Sequence, residues 1–221
     1  ELKVHQRTVE LENQNKIIIK QKEEKENLMR ETHHRVKNNM QIIQSLIGLQ
    51  LSQVDDPNFS KLLSDCNNRI ASMSAIHEMI YNSHDLKSIE TKSYITKLTN
   101  DLVKSYAVGF EVELKIEMAD FFLETNTSMY LGLVINEVVS NSLKHAFTGR
   151  DNGIIRLSLR MIEGEKYELI ISDNGIGYDE SEANLSFGSM LIETFTGEFH
   201  GTLRKVNDNG TKYIIEFMNE S

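Results

Sequence analysis

The chain has no tryptophan, one proline and one cysteine in 221 residues, and no apolar run near the roughly 20 residues that a membrane-crossing helix requires. Each shortage excludes something. The lone Cys66 cannot close an internal disulfide, so a disulfide framework is ruled out. It falls in an apolar helical stripe and is expected as a buried thiol in a reducing compartment. Basic charge is also short: 24 Lys and Arg against 33 Asp and Glu give a net charge of -9. That sign opposes binding to nucleic acid or to an anionic membrane surface, and neither is expected as a partner. What remains is 39% hydrophobic, enough for a real core. The length allows one large domain or two small ones, and two are expected. The first residue is Glu rather than Met, as expected of a piece of a longer protein with its sensor, and any membrane segment, upstream.

Glu1 to Asn27 carries dense mixed charge with neither proline nor glycine, a composition that favours unbroken helix. Val4, Leu11 and Ile18 repeat every seven residues, and the stripe resumes eleven residues on at Met29, a heptad plus a four-residue stutter. A coiled-coil lead-in fits this pattern, and so does a solvated single helix. The only proline, Pro57, sits in Val-Asp-Asp-Pro-Asn, a turn that ends the first helix. Beyond it, Phe59, Leu63, Cys66, Ile70, Met73, His77 and Ile80 keep helical spacing. Two antiparallel helices with one broad apolar face each cannot bury those faces alone, so two copies are expected to form a four-helix bundle. His77 reads as a structural imidazole in that bundle.

Asn82 to Ser88 is polar and aperiodic, the expected hinge. Three parts follow: 1–27 coiled-coil signalling helix, 28–84 dimerisation and phosphotransfer domain, 85–221 catalytic domain. In the third, Tyr94 to Tyr106 reads as a helix and Val112 to Met118 as a half-buried strand, with a short strand at Phe121 to Leu123. An apolar helix spans Met129 to Phe147. Strands follow near Ile155 to Met161 and Tyr167 to Ser172, then a loop from Asp173, a helix around Ser189 to Phe199 and a hairpin turning at Asn207 to Gly210. The fold class is α plus α+β, with helices on one face of an antiparallel sheet in the third part.

Two stretches carry chemistry. In Glu31 to Gln50, Met29, Val36, Met40, Ile43 and Ile47 form one apolar stripe with His33 at its margin. His34, about 100° further round, heads a polar row with Asn38, Gln41 and Ser45 that should face water. A plain surface helix with one core-edge imidazole fits as well. In Ile135 to Phe147, Glu137, Asn141 and His145 are four apart and share one helix face. A hydrated Mg²⁺, which prefers oxygen ligands, would give them a partner. So would simple solvation, with Lys144 and His145 offsetting the helix dipole. Ile171-Ser172-Asp173-Asn174-Gly175-Ile176-Gly177 puts an acid and two glycines just after a strand, a place for close approach to a ligand or a tight surface turn.

The segment His-His-Arg-Val-Lys-Asn-Asn-Met-Gln resembles the phosphoacceptor box of two-component sensor histidine kinases, in the subgroup whose box carries this His-His-Arg-Val-Lys-Asn-Asn run. The two later stretches resemble the N and G1 boxes of that family's GHKL-type (Bergerat) ATP-binding domain, an α/β sandwich shared with gyrase-type ATPases and Hsp90-like chaperones. The resemblance implies that His34 takes the phosphoryl group from ATP, that Asn141 coordinates Mg²⁺, and that Asp173 accepts a hydrogen bond from the adenine amino group. It gives Gly175 and Gly177 the shaping of the pocket, and puts Thr211 near the adenine through Asn209-Gly210-Thr211. Lys144 and His145 match the family's Lys-His pair as phosphate contacts. The G2 segment, Ser186 to Leu191, has one glycine where many relatives have two, so only Gly188 carries over. Relatives commonly place an acid directly after the phosphoacceptor; here it is Arg35. An acid orienting His34 must therefore come from elsewhere, and Glu137, which matches the glutamate that activates water in gyrase-like ATPases, is a candidate; Asn38, one turn below His34, is placed to orient the ring or the incoming phosphate. The resemblance implies a homodimer in the cytoplasm, a response-regulator receiver domain as partner, and a full-length protein either soluble or membrane-anchored. Two other readings stay open: a GHKL-type ATPase with Glu137 activating water, and a non-catalytic dimerisation module.

Overall fold

The computed structural model describes residues 2–81, 88–107, 109–178 and 187–219. It divides into two compact units, Glu1–Ser74 and Ala75–Ser221. The expected hinge at 82–88 lies outside the described residues except for Ser88.

The first unit is helical. Helix α1 runs without a break over Leu2–Leu51, as a stretch without proline and with one exposed glycine allows. Helix α2 spans Pro57–Tyr81. Pro57 sits at its first position, where a missing N–H costs nothing, and Asp56 caps it by accepting the Asn58 N–H at 2.9 Å. Met29, His33, Val36, Met40 and Ile47 are half-buried along α1, while Ile43, expected in the same stripe, is 46% exposed. Cys66 is half-buried too. No helix among the described residues is long and apolar enough to cross a membrane.

The second unit opens with the last turns of α2, where Ile76, His77 and Ile80 are buried. His77 is therefore a core imidazole of this unit rather than of the helical one. Its ring stacks at a tilt on Tyr81, 4.5 Å between centroids, and burial pushes its pKa below the usual 6.5. Then come β1 (Ser88–Glu90), α3 (Thr91–Tyr106), β2 (Glu111–Met118), β3 (Phe122–Glu124) and α4 (Thr125–Asn141), which continues as a π turn over Ser142–Ala146. Strands β4 (Asn152–Glu163) and β5 (Lys166–Asp173), helix α5 (Phe187–Glu198), and strands β6 (Thr202–Asn207) and β7 (Thr211–Met218) complete it.

The main sheet has the order β2-β4-β5-β7-β6, and β1 pairs with β3 separately. Its strands are antiparallel except that β2 runs parallel to β4. Parallel neighbours need a long crossover, and α4 with its π turn lies within it. Alternate residues of β4, β5 and β7 are buried, including Ile155, Leu157, Leu169, Ile171, Ile215 and Phe217. One face of the sheet is thus packed, against helices whose core side chains include Ile95, Leu131 and Ile135, while the other carries ion pairs such as Arg160 to Glu168 at 2.6 Å. Helices lie on one face, as the pattern implied. The sheet being mixed rather than wholly antiparallel is a correction.

Candidate active site

The histidine pair divides as the helical period requires. His33 is half-buried, whereas His34, Asn38, Gln41 and Ser45 are all exposed on the opposite row. Arg35 donates through Nε and Nη2 to Glu31 Oε1, at 3.1 and 2.6 Å. That pair is solvent-exposed, so it orders the guanidinium beside His34 more than it stabilises the helix.

In the second unit the site is assembled from α4, the π turn, the β5 loop, the start of α5 and the start of β7. Glu137 is buried on α4 and accepts a hydrogen bond from Asn141 Nδ2, one turn on, at 3.2 Å. Gly188, in the first turn of α5, lies against both: a Cβ there would stand 2.5 Å from Glu137 Oε1 and 3.1 Å from Asn141 Nδ2. These three therefore come together. Asp173, at the end of β5, is buried, and three donors hold its carboxylate. Oδ1 accepts the Gly175 N–H at 2.9 Å and the Thr211 N–H at 3.1 Å; Oδ2 accepts the Ser142 hydroxyl at 2.8 Å. A carboxylate so held cannot swing.

The glycines fit close approaches. Gly175 packs on Ala146, whose carbonyl accepts the Ile176 N–H at 3.0 Å, so the loop after β5 is tied to the end of the π turn. Gly210 has φ 133° and presses on the Asp173 backbone. Gly177, at φ 75°, lies on the Asn207 amide, which donates to the Tyr178 carbonyl at 3.2 Å. Lys144 and His145 are exposed, with the Lys144 ammonium 5.3 Å from the Tyr106 ring centroid on α3.

Sequence reasoning missed Ser142 and Tyr213. A hydroxyl directly after Asn141 in an apolar helix needs a partner, and that was the available signal. Tyr213 lies on the buried side of β7 two residues past Thr211, and its hydroxyl pKa is pushed up, first by burial and then by the charges of Asp173, Tyr178 and Glu137.

Residues 31–106 match the family model described as "Histidine kinase", and residues 126–218 match that of the "Histidine kinase-, DNA gyrase B-, and HSP90-like ATPase". The chain belongs to the sensor histidine kinases. It is 26% identical over 199 residues to the blue-light-activated histidine kinase 2 of Erythrobacter litoralis, covering 84% of this chain and 54% of that protein. It is 25% identical over 202 residues to the sensor histidine kinase PdtaS of Mycobacterium tuberculosis, covering 86% and 39%. The chain thus spans about half or less of these relatives. Among solved structures, the histidine kinase domain of the Erythrobacter litoralis EL346 blue-light activated histidine kinase matches in fold, with a TM-score of 0.62 at 15% identity over 82% of this chain and 94% of that one.

In this histidine kinase the first family match includes His34, and the second includes every residue of the Glu137 and Asp173 clusters. The second unit carries the GHKL-type ATPase fold, which implies ATP binding. Among the described residues no three His, Cys, Asp or Glu side chains gather as a metal cage. The two side chains Glu137 and Asn141, beside the backbone of Gly188, suit an ion that keeps its waters and binds phosphate oxygens, which is the chemistry of Mg²⁺.

Proposed function

We propose that this chain is the catalytic core of a homodimeric sensor kinase that phosphorylates its own His34 from ATP and passes the phosphoryl group to an aspartate of a response-regulator receiver domain. In the second unit, Asp173 takes a hydrogen bond from the adenine amino group, with Gly175, Gly177 and Thr211 shaping the base pocket. Of the four acceptor sites on an ionised carboxylate, protein donors hold three on Asp173, which reserves one on Oδ2 for the base. Asn141 would hold Mg²⁺, which neutralises phosphate charge when bound. Gly188 lets the backbone near the phosphates, Lys144 adds positive charge there, and His145 is a further phosphate contact. Nε2 of His34 attacks the γ-phosphorus, the bond to the bridging oxygen breaks, and ADP leaves. An imidazole is neutral enough near pH 7 to attack without a strong base, so positioning and charge neutralisation dominate.

Asn38, exposed one turn below His34, orients the ring or the incoming group. Glu137 is buried against Asn141, where it fixes the amide so that its oxygen serves the metal. The same carboxylate is what a water-activating ATPase would need, and that reading predicts phosphate release without a phosphorylated chain. Dimerisation is supported by the apolar side chains that one copy leaves in water, Leu28, Ile42, Leu46, Leu49 and Leu62 among them. A cytoplasmic setting follows from the need for ATP.

The observation that carries the reading is the contrast within the histidine pair, His33 turned in and His34 turned out. Incubation with Mg²⁺ and γ-labelled ATP is expected to give acid-labile label on the chain, and His34→Ala to reduce it to background. Label persisting in His34→Ala overturns the proposal.

A further inference from the structure

Ser142 opens the π turn that follows α4 and is buried with Asp173. A π turn interrupts the regular helical repeat, and such interruptions are frequent at functional sites. Here the interruption coincides with a 2.8 Å hydrogen bond from Ser142 Oγ to Asp173 Oδ2. Asp173 Oδ1 already accepts two backbone N–H groups, from Gly175 and Thr211. A hydroxyl has one proton to give. With that proton committed to Asp173, Ser142 Oγ offers only lone pairs, beside the remaining lone pair of Oδ2.

We infer that Ser142 is a specificity-determining residue: its hydroxyl and Asp173 Oδ2 together present paired acceptors that select a 6-aminopurine nucleotide over a 6-oxopurine one. The inference rests on the reading of Asp173 as the base contact and assigns a role to its neighbour. A 6-amino group can direct one N–H between these acceptors, which at 2.8 Å apart share a single donor. A 6-oxo group brings a third acceptor, and sites built to pair with a donor reject ligands that lack it. Without the hydroxyl, Oδ2 takes up a water, which can turn either a proton or a lone pair to the ligand. Selectivity then falls even though Asp173 stays held by its two backbone donors.

The test is calorimetric titration of the whole chain with ATP and with GTP in the presence of Mg²⁺, for the wild type, Ser142→Ala and Ser142→Thr. Ser142→Ala is expected to weaken ATP about tenfold, the scale of one hydrogen bond, and to lower the ATP-to-GTP ratio by about the same factor. Ser142→Thr keeps the hydroxyl and the wild-type ratio. A ratio unchanged in Ser142→Ala, or lost equally in Ser142→Thr, overturns the inference. If ligand-free thermal unfolding shows that the alanine variant does not fold, the near-isosteric Ser142→Cys carries the same expectation. Wild-type chain that binds neither nucleotide defeats the nucleotide site as well. A wild-type preference for ATP that survives the loss of the hydroxyl defeats only the role of Ser142.

Discussion

The two units solve the burial problem in opposite ways. Among the described residues every buried apolar side chain lies at or beyond Ile76, whereas the helical unit keeps Leu28, Ile42, Leu46, Leu49, Phe59 and Leu62 at least half exposed. The second unit closes its own core because a sheet with one packed face and several covering helices is complete within one chain. Two long helices have no such closure within one chain, and the proposed dimer would supply it. The difference fits a division of labour: a self-sufficient nucleotide domain, and a helical unit whose stability can be tuned by association.

The strongest way to break this contrast is to damage one unit alone. Gly132, inside α4, leaves no room for a side chain: a Cβ there would run into the Tyr94 hydroxyl and stand 2.9 Å from its Cζ and 3.4 Å from Ile76 Cγ2. Tyr94 is buried and its hydroxyl pKa is driven up by burial, so the ring has no free path outward. Gly132→Ala is expected to cost the second unit about 3 kcal/mol, the upper end of ordinary overpacking. In a calorimetric scan its transition should move down while the helical transition holds. Loss of both together would show one cooperative unit instead of two.

The converse substitution acts on the helical unit. On a lone helix an exposed leucine replaced by a polar residue changes stability by no more than about 0.5 kcal/mol. Leu46 is 57% exposed in one chain. If a second copy covers it, Leu46→Asp loses about 2 kcal/mol of buried apolar surface per protomer. Sedimentation should then show a shift toward monomer, with the second unit's melting temperature unchanged. A dimer unaltered by the substitution would take Leu46 out of the seam, and a wild-type chain that sediments as a monomer would remove the dimer from the proposal.

What could be read in the residues follows the range of the forces involved. Helix α1 was legible because its long run without proline, and the His33 and His34 faces, are set within a turn or two of the residue concerned. The β4 and β5 alternation was equally local. Strand β1 was not, since three residues, Ser88 to Glu90, become a strand only by pairing with β3. Nor was the parallel β2 and β4 pair, because alternation reports which face is buried and says nothing of a neighbour's direction. The continuous helix expected to Phe147 instead changes to a π turn at Ser142, where a serine meets an aspartate 31 residues away. At the candidate site, the residues named from the sequence sit in local boxes, whereas Ser142, which joins them through a tertiary hydrogen bond, carries no such local mark.

The finest test concerns the end of α2, where the chain passes from one unit to the other inside a continuous helix. His77 lies just past that boundary, buried, with its pKa lowered from 6.5 by desolvation. At pH above this ordinary value the imidazole is neutral in both folded and unfolded chains, and it adds no slope. As pH falls through 6.5 the unfolded chain takes up a proton at this site that the folded chain refuses, so stability declines until the lowered folded value is reached, and is flat below it. The decline should appear in the second unit's transition between neutral and mildly acidic pH and shrink in His77→Gln. A His77-dependent slope in the helical transition instead would mean that the last turns of α2 melt with the helices, and the boundary would have to move downstream of Tyr81.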